Sequence, residues 1–112
     1  MTPAALSLAR RVRELLSCQA AWTKSANARR FDWSECRSTD PEAVCWDLHG
    51  AMNKLAPGKE NYALRRELTG RLDRANNYRG FATWQEHPMT LHADVLALLD
   101  RVVEEGERCD AD

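Results

Sequence analysis

Apolar positions near the start of the chain recur with a helical period. Leu8, Val12, Leu15 and Leu16 stand at i, i+4, i+7 and i+8, while Arg10, Arg11, Arg13 and Glu14 mostly cover the other side. The spacing predicts a first helix over residues 4–18, with Thr2 as its cap and Pro3 in the first turn, where a missing N–H costs nothing. A second stripe, Val44, Leu48, Ala51, Met52 and Leu55, predicts a helix over 41–56. Asp40 stands before it as N-cap, Pro41 and Glu42 suit its first turn, and Pro57-Gly58 stops it. Gly50 inside that helix costs about 1 kcal/mol against Ala. Its presence implies that the backbone of a neighbour comes close.

Leu64, Leu68, Leu72 and Ala75 predict a third helix over 60–76, ended by Asn76-Asn77 and Gly80. Leu91, Val95, Leu98, Leu99 and Val102 predict a fourth over 91–107, capped by Thr90, with a frayed polar tail at 107–112. Residues 22–39 carry no such period. They are rich in Ser, Asn, Asp and Thr and read as a long irregular connection, with extended pieces near 22–29 and 33–38 that would suit a short β-ribbon. A further connection, 77–90, holds the apolar group Phe81-Ala82-Thr83-Trp84, which reads as a short strand. The expected fold is mainly α, a small four-helix domain spanning 1–112 as one unit.

Composition agrees with a globular chain: 44% apolar, 29% charged, formal net charge −1. That balance argues against broad electrostatic binding to nucleic acid. Charge is nevertheless uneven. Residues 59–80 carry six basic and three acidic side chains, whereas 91–112 carry two basic and seven acidic. The arginines of the third helix therefore make nucleic-acid binding an alternative reading, the weaker for having only Tyr62 and Tyr78 interleaved. Arginines fall within the first apolar run and not before it, which is the wrong order for a signal peptide. A cytosolic location follows as the expectation, with Cys18, Cys36, Cys45 and Cys109 reduced.

Candidate chemistry is sparse. No Gly-rich phosphate loop, nucleophile elbow or metalloprotease helix occurs. Cys45 and His49 are four apart and would share one helix face, with Cys36, His87 and His92 as further ligands for a metal- or thiol-dependent site. The spacing matches no strong zinc pattern, so no cofactor and no catalytic residue are assigned. Four tryptophans in 112 residues are the more unusual supply. Trp46 lies off the apolar face of its helix and is expected to pack against the irregular segment. The leading expectation is a non-catalytic interaction or regulatory protein that binds another protein. Its surface would be built from Trp22, Trp33, Trp46, Trp84, Gln85, Glu86 and His87.

Three pieces of the chain resemble a family of small uncharacterised bacterial and phage proteins, a domain of unknown function. They are "WTKSA" at 22–26, "DPEAVCWDLHGAM" at 40–52 and "WQEHPMTLHADVLALLDR" at 84–101. The ending is the most specific. Lys24-Ser25 replaces a more usual Gln-Gly in that pattern, and Gln85-Glu86 replaces Asn-Asp. The resemblance implies the same fold organisation and a bacterial or phage setting, and it brings no activity with it.

Overall fold

The computed structural model describes residues 1–111. Helix α1 spans Pro3–Leu15. A hairpin follows, with strands β1 (Ala28–Arg30) and β2 (Ala43–Trp46). Then come α2 (Leu48–Leu55), α3 (Tyr62–Ala75), the short α4 (Phe81–Glu86) and the long α5 (His92–Ala111). The domain is mainly helical with a small antiparallel sheet, and the described residues form five α-helices where the sequence pattern suggested four.

Helix α1 is the hub. It packs on α5, α2 and α3 and buries Leu8, Ala9, Val12 and the following Leu16 in one cluster with Leu48, Met52, Leu68, Leu72, Val95 and Leu99. Thr2 caps it as expected, its Oγ1 accepting from the Ala5 N–H at 3.2 Å. The same residue also donates its N–H and hydroxyl to the Glu67 carboxylate at 2.8 and 2.9 Å, which ties the start of α1 to α3. On α5 the stripe Val95, Leu98, Leu99 and Val102 is buried, but Leu91 is 63% exposed. Thr90 does not cap α5. Its hydroxyl donates to the Trp84 carbonyl at 2.7 Å, and Asp94 instead accepts from the Leu91 N–H at 2.9 Å, the reach-back half of a capping box. Helix α5 runs on to Ala111, and Glu107 meets Arg10 at 3.0 Å. Among the described residues, the acidic α5 finds its ion-pair partners on α1, at Arg10 and Arg13, and none on α3. These exposed pairs contribute little stability.

Two expected elements change type. Residues 43–46 form strand β2, and the helix begins only at Leu48. Asp40 turns the chain without starting a helix: it accepts the Glu42 N–H at 2.8 Å and holds Arg30 at 2.7 Å. The true N-cap is Asp47, which accepts from the Gly50 N–H at 2.6 Å. Asp-Pro-Glu suits an Asx turn as well as a helix start. Here the β-propensity of Val44-Cys45-Trp46, with Ala28–Arg30 available as a partner, decides the outcome. Val44 is accordingly exposed, not buried on a helix face. The reverse occurs at Phe81–Trp84, expected as a strand and found as the first turns of α4. Helical winding places Phe81 and Gln85 on one face, and both are buried. A lone strand there would have had no ladder.

Candidate functional site

The segments that carry the resemblance meet in space. The loop after α1, residues 22–27, lies against the start of α2 and the end of α4. Lys24 Nζ donates to the His87 carbonyl at 2.7 Å, and Ser25 Oγ donates to Glu86 Oε2 at 3.0 Å. Gln85, 2% exposed, uses its Oε1 to accept the free Leu48 N–H at the first turn of α2, 3.0 Å away. The Asn27 carbonyl accepts the Asp47 N–H at 3.3 Å and sits so close to Gly50 that a Cβ there would overlap it. That is the neighbouring backbone which the glycine implied. Ser25 has φ 64, in the left-handed region where glycine is at ease.

Most polar groups of this junction are thus occupied by one another. Gln85 and Glu86, expected to face a partner, staple α4 to α2 and to the loop. Asp47 is buried under the same junction, and that burial raises its pKa, with the Glu86 charge adding to the effect and the Gly50 N–H opposing it. A folded state that holds the Asp47 proton more tightly than the unfolded chain loses stability as pH rises from the usual aspartate range through the raised value. Asp47→Asn keeps an acceptor for Gly50 and removes that slope. Urea midpoints of wild type and variant should therefore coincide at low pH and diverge as pH rises, with the variant the more stable. Parallel curves across that window would refute the assignment.

The thiol and imidazole candidates do not assemble. Cys45 is buried on β2 and His49 is exposed on α2, so the shared helix face expected for them does not exist. Burial pushes the Cys45 and Cys36 thiols up, away from the thiolate form that nucleophiles and metal ligands need. Among the described residues no three His, Cys, Asp or Glu side chains are placed to share a metal ion. His92 binds the Leu16 carbonyl at 2.6 Å and lies 5.9 Å from the Trp22 ring, holding α5 to the end of α1. Cys109 falls where side chains are not described. On α3, Arg65 is engaged by the Ala56 and Gly58 carbonyls beyond the end of α2, at 2.5 and 2.8 Å.

The tryptophans divide. Trp46, 6% exposed, packs on the irregular segment as expected, its Nε1–H donating to the Ser38 carbonyl at 3.0 Å. Trp22 and Trp84 are half-buried against the core. Only Trp33 is open, at 61% exposure, and beside it Phe31 reaches 93%. These two crown a three-residue loop that turns the chain from β1 back onto Ser34-Glu35, where Glu35 bridges Arg29, before β2. The Trp33 N–H donates to the Arg30 carbonyl at 2.8 Å, the Arg30 N–H donates to the Ser34 carbonyl at 2.9 Å, and Trp33 itself has φ 74. This is a type I turn followed by a left-handed residue, a position that normally takes glycine. Asp32 locks the turn by accepting the N–H and hydroxyl of Ser34 at 3.0 and 2.6 Å, and Arg29 lies 5.1 Å from the Trp33 ring while donating to its carbonyl at 3.0 Å. Phe31 was not among the expected site residues. The signal for it is "RFDWS", an aspartate inside a turn flanked by two aromatic rings.

Against this geometry, one family comparison is decisive: the family described as "Family of unknown function (DUF6197)" matches residues 1–105. The chain belongs to DUF6197. No curated protein and no solved structure gives a significant match. In this DUF6197 member the segments behind the sequence resemblance are therefore also the segments whose side chains bind one another.

Proposed function

We propose that the protein is a small interaction domain without catalytic chemistry, which docks a protein partner through Phe31 and Trp33 at the hairpin tip. One observation carries the reading. A bulky aromatic residue occupies a left-handed position that suits glycine, and it leaves most of its surface in water. Non-glycine residues held there cost about 1 kcal/mol or more. The Arg29 guanidinium, 5.1 Å from the ring, offsets part of that cost, and the face of the ring left in water is available to a partner. Large aromatic side chains on a pinned turn are favoured anchors at protein interfaces, since they bury much area with little loss of freedom. The Trp84–Pro88 segment, also expected to contribute, adjoins the 22–27 loop through Lys24 and Ser25 and is the second part of the proposed surface. A cytosolic setting in a bacterium or phage belongs to the same proposal. No helix of the described residues is long and apolar enough to cross a membrane.

Trp33→Gly separates the fold from the function. Glycine relaxes the turn, so the variant should melt at the wild-type temperature or slightly above it. In an affinity capture from host lysate, read by mass spectrometry, it should lose the proteins that wild type retains, as should Phe31→Ala. Retention of the same proteins by both variants removes this reading.

A further inference from the structure

An open groove of about 840 Å³ lies where the end of α3, α4 and the first half of α5 meet, away from the hairpin. That is within the range of small-molecule sites, about 300–1,000 Å³. Its walls combine an apolar strip, Trp84, Met89 and Leu98, with Arg79, Arg101 and Asp94. Among the described residues neither arginine has a carboxylate within ion-pair distance. Arg101 spends one N–H on the Ala75 carbonyl at 2.7 Å and keeps its remaining donors. The Arg79 side chain makes no hydrogen bond among those residues, yet its backbone is fixed. The turn before it is held by the Tyr78 N–H on the Asp73 carbonyl, 2.8 Å, and by Asn76 Nδ2 on the Arg79 carbonyl, 3.2 Å. Asn77 and Tyr78 stand there at φ 58 and 62, two consecutive non-glycine residues in the left-handed region. His87 adds a donor, because its Nδ1 accepts the Met89 N–H at 3.0 Å and the ring proton then sits on Nε2. The Trp84 wall is pinned in turn by the Thr90 hydroxyl on its carbonyl.

We propose that this groove binds a small anion with a planar apolar body, its carboxylate or phosphate group between Arg79 and Arg101 and its body against Trp84 and Met89. In a chain of net charge −1, two arginines with no carboxylate partner facing one aspartate make a local positive site. Planar guanidinium groups match oxyanions of either kind. The groove shares Trp84 and His87 with the second part of the docking surface proposed above, but it contains neither Phe31 nor Trp33, so the Trp33→Gly and Phe31→Ala captures and the titration below fail separately.

The test is an NMR titration of the folded protein with phenyl phosphate, following the four tryptophan indole N–H signals. The Trp84 signal should shift saturably while those of Trp33 and Trp46 stay in place. Phenol and inorganic phosphate, each carrying half of the probe, should bind about tenfold or more weaker, and Arg79→Gln should weaken phenyl phosphate by a similar factor. Arg79→Gln decides the matter, because Arg101 also supports the Ala75 carbonyl. The proposal is overturned by absence of a saturable Trp84 shift, by equal affinity for phenol, or by an Arg79→Gln titration that matches wild type.

Discussion

Gly50→Ala should lower stability by about 3 kcal/mol or more, moving the melting temperature down by roughly 10–20 °C. The added methyl would occupy the place of the Asn27 carbonyl oxygen. A flexible side chain swings aside at small cost, but this oxygen belongs to a backbone fixed by the Asp47 N–H and continuous with β1. Relief requires the 22–27 loop to lift from α2, and with it the contacts of Lys24 and Ser25 to the end of α4. Gly70→Ala is the matched control. Nothing lies within 4 Å of a Cβ at that position, so better helix propensity should raise stability by about 0.5–1 kcal/mol. A Gly50→Ala protein that melts within a few degrees of wild type would mean that the close approach is not real.

Trp46→Ala is the second large effect, about 3–5 kcal/mol by urea unfolding. The indole is the body that fills the space between β2, the irregular segment and α2. Trp46→Phe should cost less, roughly 1–3 kcal/mol, since it keeps most of the ring and strands only the Ser38 carbonyl. In both variants amide exchange should quicken at Cys36, which bonds to β1 at Ala28, before it quickens in α1. A loss under about 1 kcal/mol for the alanine variant would show that the hairpin holds itself without Trp46.

What could be read from residues alone followed the range of the interactions involved. The stripes of α1, α3 and α5 are local repeats, and most of their buried faces were legible; Leu15 and Leu64 are only partly buried, Leu91 at a helix start is exposed, and Ala5 and Leu6 are buried outside the stripe. Gly50 was legible too, because it broke the expectation for a helix interior and so implied a neighbour; Trp46 packs where expected, but from strand β2 and not from the face of a helix. Strand β2 was not. Its identity depends on Ala28–Arg30, well upstream, and Asp40-Pro41-Glu42 imitates the start of a helix that begins only after Asp47. The short α4 failed for the opposite reason: Phe81 and Trp84 have strand character but nothing to pair with. Gln85 and Glu86 looked like free polar groups because their partners, Leu48 and Ser25, are 37 and 61 residues away. The exposed tip had a local signature in "RFDWS", and the groove had none, since its residues come from two separate helices and the turns before each.

The seating of α1 on α5 also fixes an order of events during synthesis. Arg10 and Glu107 are 97 residues apart, so the surface that covers one side of α1 is made long after α1 itself. At a translation rate of about 5–20 residues per second, the Leu8 and Val12 stripe waits on the order of ten seconds for it. Until then α1 is an amphipathic segment with part of its apolar face uncovered. Until α5 has been made, that uncovered stripe is the apolar surface through which the nascent chain can aggregate.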